Sequence, residues 1–307
     1  MMTSQILVPL DGSALAERAL SCALMLAQGL PADLILLCAV SIPPDFEDVL
    51  RDVPEDVEAQ IEQLGDEARG YLSEVAARLK ASDLSVRATV EWGPAAEVIV
   101  DYAENENINF IVMATHGYSG ISRWRHGSVA ERVLQSASVP VLLVRAEEKI
   151  PENILQAMQC QRIMVPLDGS TMAEQVLPPV TYVAQALEAE IVLFRVPIAH
   201  VSGSLFGDWV LPLEGTLETA NDIASVYLQR QAEPLREQGI RVSTAMQMGG
   251  VANAIIEFAE ANEIDLIATC THGRTVLARC ALGSVADRVL RAGHIPLLLV
   301  RAKWLTE

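Results

Sequence analysis

Basic side chains are scarce in this sequence. Its 307 residues carry 22 Lys and Arg against 40 Asp and Glu, a formal net charge of −18 at pH 7. A nucleic-acid binder needs a basic stripe that displaces counterions from phosphates, and docking on anionic lipid needs the same. Neither partner is expected. Long apolar runs are missing as well. Leu34–Val40 and Val139–Val144 have strand length, far short of the roughly 20 residues of a membrane span. The opening MMTSQ has no basic start, so no signal peptide is expected and the cytoplasm is the expected location. Cysteine is limited to Cys22, Cys38, Cys160, Cys270 and Cys280, an odd number with irregular spacing and no CxxC. That pattern predicts reduced thiols rather than a disulfide framework or a zinc site.

Familiar catalytic signatures are absent too. There is no GxxxxGK[ST], no GxGxxG after a strand and no kinase set. Histidine recurs in Thr115-His116-Gly117 and Thr271-His272-Gly273. No nucleophile elbow or fixed carboxylate accompanies it, so no catalytic residue and no metal ligand are assigned. Apolar material, by contrast, is ample: 51% of the residues are hydrophobic and 20% charged, a globular composition that excludes disorder. The length is twice that of a typical domain of about 150 residues.

The chain is written twice. Ile6–Ser13 reads ILVPLDGS and Ile163–Ser170 reads IMVPLDGS; Ala114–Ser128 reads ATHGYSGISRWRHGS and Cys270–Ser284 reads CTHGRTVLARCALGS. Both blocks run on alike, into VAERVL and PVLLVR in the first half and VADRVL and PLLLVR in the second. The offset is 157 residues from Asp11 to Asp168 and 156 from Gly117 to Gly273, Gly127 to Gly283 and Arg145 to Arg301. So constant an offset means duplication. The expected domains are 1–146 and 160–307, joined by a polar linker at 147–159.

Within the first half, Val/Ile/Leu-rich runs occur near 5–10, 33–40, 85–91, 109–114 and 139–145, separated by helical spacing near 14–29, 55–81, 94–106 and 127–137. In the longest of these, Val57, Ile61, Leu64, Ala68, Leu72, Val75 and Leu79 follow three- and four-residue steps. Strands alternating with helices predict an α/β domain around a parallel sheet, covered on both faces, with right-handed crossovers. Ser41–Pro54 and Pro197–Thr216 differ most between the halves; Phe206 and Trp209 there suit either a lid or interface, or ordinary loop packing.

Three recurrent elements fall where ligands of open α/β sheets bind, beyond the carboxyl ends of strands. Asp11-Gly12-Ser13 and Asp168-Gly169-Ser170 follow apolar strands; each Asp suits a ribose hydroxyl or a cation, or the motif is turn chemistry with a serine N-cap. Gly127-Ser128 and Gly283-Ser284 precede helices. A helix N-terminus there can hold phosphate, or Ser128 with Glu131 and Ser284 with Asp287 can form capping boxes. The Thr-His-Gly loops come after the fourth strands.

In combination, twice over and in order, these elements resemble the universal stress protein family. Its nucleotide-binding members carry Gly, two residues, Gly, nine residues, Gly, Ser/Thr after the fourth strand. Here Ala114, Gly117, Gly127, Ser128 and Cys270, Gly273, Gly283, Ser284 keep that spacing, with Ala and Cys where the pattern begins with glycine. The resemblance implies two open five-stranded Rossmann-like sheets of order 3-2-1-4-5, paired about a pseudo-twofold axis, and it is compatible with a homodimer. It implies ATP, together with Mg²⁺, in one or both clefts. Pro9 and Asp11 would lie against the adenosine, Ala39 would meet adenine through its backbone, and Gly117, Gly127, Ser128 and Val129 would hold ribose and phosphates, with Ser13 and Ala114 counted in the same cofactor-binding set. The second-half matches are Pro166, Asp168, Ser170, Val196, Cys270, Gly273, Gly283, Ser284 and Val285. Arg125 and His126 in the first half supply a local positive patch or simply a solvated surface, and Cys270 is bulky enough to crowd a ribose. The first half is therefore expected to bind nucleotide better. The implied role is a stress-response regulatory module rather than an enzyme; a slow ATPase is the most that chemistry of this kind predicts. The alternative is an interaction scaffold of the same fold that binds no nucleotide.

Overall fold

The computed structural model describes residues 3–41, 55–79, 84–115, 128–145, 157–197, 214–271 and 282–302. The chain divides into two compact units, Met1–Gln159 and Cys160–Glu307.

In the first unit, β1 (Ser4–Pro9) lies between β2 (Ala32–Val40) and β4 (Phe110–Ala114), with β3 (Val86–Trp92) outside β2 and β5 (Val141–Val144) outside β4. Every one of these pairings is parallel. The expected order, 3-2-1-4-5, is the observed one. Ile6, Leu7 and Val8 in β1 and Leu34–Leu37 in β2 are fully buried, the unbroken apolar run of a sheet covered on both faces. The covering helices are α1 (Ala19–Gly29), α2 (Glu55–Leu79), α3 (Ala95–Asn105) and α4 (Ser128–Ser136). Leu72, Val75 and Leu79 of α2 are fully buried, the inner face of its apolar stripe. The segment expected to be helical from residue 14 opens instead as a 3-10 turn, Ala16–Arg18, and becomes α-helical at Ala19. Short 3-10 turns are common at α-helix starts.

The second unit repeats the plan. β6 (Arg162–Pro166) lies between β7 (Glu190–Arg195) and β9 (Leu266–Cys270), flanked by β8 (Val242–Met246) and β10 (Leu297–Val300), again all parallel. Its helices are a one-turn α5 (Thr171–Glu174), α6 (Leu177–Leu187), α7 (Glu214–Glu237), α8 (Val251–Ala261) and α9 (Ser284–Ala292). Pro178 and Pro179 stand in the first turn of α6, where a missing N–H costs nothing. The rings of Phe194 and Phe258 meet at 4.8 Å and fix α8 on β7.

Four cysteines, Cys22, Cys38, Cys160 and Cys270, are described; all are buried and none forms a disulfide. Burial pushes the thiols of Cys22 and Cys270 up to about 12. They act as small hydrophobes. Near the domain junction, the Met158 N–H donates to the Ser21 carbonyl at 3.1 Å, so this end of the polar stretch lies on α1. Among the described residues no helix is long and apolar enough to cross a membrane.

Candidate functional site at the strand ends

Strand order alone creates a topological switch point in each unit. From β1 the chain crosses to β2 on one side, while β4 lies on the other. The register matches Ile6 with Phe110 and Leu7 with Ile111. Asp11 and Thr115 therefore each lie four residues beyond the last paired position of neighbouring strands. In the second unit Met164 matches Ile267, and Asp168 and Thr271 stand in the same relation.

The Asp-Gly-Ser turns are built alike. One residue past Pro9, the Leu10 N–H donates to the Leu37 carbonyl at 2.8 Å, and the Leu167 N–H donates to Phe194 at the same distance. The chain thus leaves each strand still tied to its neighbour. Asp11 Oδ1 then accepts from the Ser13 N–H at 3.0 Å and from Ser13 Oγ at 2.6 Å. Asp168 Oδ1 accepts from Ser170 at 2.8 and 2.6 Å. The residue between is at φ +84° in Gly12 and +86° in Gly169, a backbone that glycine adopts without strain. Each serine hydroxyl also accepts from the third residue on, Ala16 at 3.1 Å and Ala173 at 3.2 Å. The turn reading is realised at both serines, whereas the cap is realised only at Ser170, the N-cap of α5; the 3-10 turn of the first unit has Leu15 at its N-cap, two residues after Ser13, and no side-chain cap. The turn fixes where each carboxylate stands.

At the ends of β4 and β9, Ala114 and Cys270 are buried, followed by buried Thr115 and Thr271. The Thr115 N–H donates to Val144 and the Thr271 N–H to Val300, both at 2.9 Å. In the second unit the Gly283 N–H donates to the Thr271 carbonyl at 2.7 Å, which brings the start of α9 against the end of β9. The N-cap of α9 is Gly283, extended at φ −64°, ψ 153°, and no side chain caps it. The capping box expected of Ser284 and Asp287 is therefore not formed. Ser284 is the exposed first helical residue, one position too late to cap, and Asp287 is drawn to Arg291 at 2.9 Å one turn on. A helix start with no side-chain cap, preceded by glycine, is an anion-receptive terminus. Ser128 is likewise the exposed first residue of α4 and Val129 is half-buried. Val285 is exposed.

The Cys270 thiol has a definite place. Its Sγ lies 3.6 Å from the Ala173 carbonyl, so its bulk is taken up between β9 and α5. Ala39 is half-buried near the end of β2, and Val196 is buried one residue past β7. Gly117, Gly127 and Gly273 lie outside the described residues, as do His116, His272, Cys280, Phe206, Trp209 and the Arg123–His126 stretch.

Two further pairs escaped the sequence reading. Tyr71 on α2 donates to Glu17 Oε1 at 3.2 Å, and Tyr227 on α7 donates to Glu174 Oε1 at 2.9 Å. Burial, then the adjoining glutamate, holds both phenols above their ordinary range. Around them the units differ. Arg78 pairs with Glu17 Oε2 at 2.7 Å. Glu174 instead takes Gln231 at 3.0 Å, and the Arg195 guanidinium sits 4.5 Å from the centre of the Tyr227 ring. The repeat offset would have revealed the pairs, since Glu17 maps on Glu174 and Tyr71 on Tyr227. Among the described residues no group of His, Cys, Asp and Glu is arranged to hold a metal ion.

The family model described as the universal stress protein family matches residues 2–145 and 159–301. A universal stress protein of Methanocaldococcus jannaschii is 32% identical over 146 residues, 46% of this chain and 82% of the relative. The universal stress protein YxiE of Bacillus subtilis is 29% identical over 145 residues, 46% of this chain and 98% of its own length. One half of this chain thus spans nearly the whole of that relative. Among solved structures, a universal stress protein from Archaeoglobus fulgidus superposes with a TM-score of 0.68 at 22% identity, covering 97% of this chain and 96% of its own, a likeness of fold. With its model matched once in each half, the chain belongs to the universal stress protein family as a tandem of two of its domains.

Proposed function

We propose that this chain is a cytoplasmic regulatory module that binds an adenine nucleotide, ATP, at the strand ends of one or both units. The observation that carries this reading is the recurrence, in both halves of a family member, of an aspartate fixed by its own turn beside the end of a neighbouring strand. The residues fit such a ligand. Asp11 and Asp168 present a carboxylate for ribose hydroxyls beyond Pro9 and Pro166. The backbone at Ala39 and Val196, at the ends of the second strand of each unit, would meet the base edge. Gly127, Ser128 and Val129, with Gly283, Ser284 and Val285, offer helix-start amides and a hydroxyl to phosphates. Ala114 and Cys270 end the neighbouring strands. Mg²⁺ would arrive on the phosphates, since the described residues group no ligands for it. With no base or nucleophile assigned, bound nucleotide acts as a signal.

Denaturing the purified chain and identifying released small molecules by mass spectrometry, together with an ATP titration by calorimetry, tests this. The expected result is adenine nucleotide at one or two per chain. No released nucleotide, and no heat at millimolar ATP, would remove the reading in favour of a scaffold without ligand.

A further inference from the structure

We propose that Tyr71 and Tyr227 are positioning residues: each struts the Asp-Gly-Ser turn of its unit from the long helix packed behind it. The inference rests on the nucleotide reading for its consequence and on the hydrogen bonds for its existence. In the second unit the chain of bonds is continuous. Tyr227 donates to the Glu174 side chain at 2.9 Å. The Glu174 N–H donates to the Ser170 carbonyl at 3.2 Å. The Ser170 N–H and Oγ donate to Asp168 Oδ1 at 2.8 and 2.6 Å. In the first unit the same path runs from Tyr71 to Glu17 at 3.2 Å, from the Glu17 N–H to Ser13 at 3.3 Å, and from Ser13 to Asp11 at 3.0 and 2.6 Å.

The glutamate is the costly member. Glu17 is 8% exposed, and a carboxylate removed from water must be met by donors. Satisfying that carboxylate does not by itself require a tyrosine, because the two units complete it differently. One adds an arginine on the second oxygen, the other a glutamine on the same oxygen with an arginine over the phenol ring. Tyr, Glu, Ser and Asp are the members common to both paths. A turn held from the helix layer presents its carboxylate in one place before ligand arrives, which spares the ordering cost of binding.

The test uses the full chain with Tyr227→Phe, Glu174→Ala and Glu174→Gln. Hydrogen exchange by mass spectrometry follows residues 168–176 against the β9 segment 266–270, and calorimetry follows ATP. Tyr227→Phe is expected to speed exchange in 168–176 about fivefold, the effect of one lost hydrogen bond, and to leave β9 unchanged. Glu174→Ala is expected to do at least as much. Glu174→Gln, which keeps an acceptor for the phenol, is expected to restore most of the protection. ATP affinity in that unit is expected to fall in step. Unchanged exchange in 168–176, or faster exchange throughout the unit, overturns the strut. So does an ATP affinity that fails to move in a chain whose wild type binds ATP. If the wild type takes no ATP, the exchange result alone decides the strut, and it is the nucleotide reading that falls.

Discussion

Set side by side, the two strand-end turns agree within 0.2 Å in every hydrogen bond and by 2° at the glycine. The side chains around them do not agree. The residue after the last register partner of the proline is Cys38 in the first unit and Arg195 in the second. The entry to the glycine pattern is Ala114 in one and Cys270 in the other. The glutamate below each turn, buried as Glu17 and half-buried as Glu174, takes Arg78 in one unit and Gln231 in the other. The duplicated units thus share a backbone frame and differ in the charge and bulk set around it. If both bind nucleotide, differences in affinity come from these side chains and not from the turn.

The largest effect expected tests whether the clefts act separately. Gly283→Trp places an indole at the N-cap of α9, where a side chain would cover the helix-start amides. ATP binding in the second unit should weaken more than about tenfold, roughly 1.4 kcal/mol, and calorimetric stoichiometry should drop by one site per chain. Gly127→Trp should do the same for the first unit alone. A loss of both sites from either substitution would break the picture of two independent clefts.

Next in size are the turn glycines, which should behave as twins. At Gly12 an added Cβ meets nothing within 4 Å, so the cost of Gly12→Ala is conformational, about 1–2 kcal/mol for a left-handed residue. Gly169→Ala, at nearly the same φ, should cost the same. For units of this size that is a fall of a few degrees in Tm, on the order of 2–4 °C per kcal/mol, read by calorimetry. Unequal losses would show that the frames are less alike than their hydrogen bonds. Ser170→Ala removes the cap to Ala173 and should cost about 1 kcal/mol.

Alkaline pH tests the buried thiols, which are alike in the two units. Cys22 in the first and Cys270 in the second are raised from 9.0 to about 12, chiefly by burial. A raised folded value means that the folded state keeps the proton longer. The contribution is therefore complete below pH 9 and is lost as pH climbs toward 12. Cys22→Ala should flatten that decline in the first unit and Cys270→Ala in the second, as followed by chemical denaturation at pH 7 and 10.

Much of this frame was legible in the sequence, for definite reasons. Strands such as Leu34–Val40 are unbroken apolar runs, and α2 carries a seven-residue apolar stripe, so periodicity placed them within a residue or two. The sharp Asp-Gly-Ser turn was legible because its bonds join residues two or three apart. The capping box, one of two readings open at Ser284, is not formed, and spacing could not decide it because a box and a glycine N-cap differ by a single residue in where the helix starts. The tyrosine struts span more than 50 residues. Nothing local marks a tyrosine inside an amphipathic helix as a hydrogen-bond donor to a distant turn.

The smallest effect expected concerns the residue that seemed most damaging. By size alone, Cys270 at the first position of the glycine pattern should hinder a ribose in the second unit. In the fold its thiol lies 3.6 Å from the Ala173 carbonyl, under α5, and is 5% exposed. A side chain that fills the space between strand and helix replaces packing, and does not project from the strand end. Cys270→Ala should therefore change ATP affinity in the second unit by less than about twofold, within roughly 0.4 kcal/mol, as measured by calorimetry in the Gly127→Trp background so that one site is read alone. A gain of tenfold would restore the crowding argument and make this cysteine the source of any weakness in that cleft. A flat result would pass the comparison to Arg195 and Cys38, where the units differ by a full charge near the aspartate.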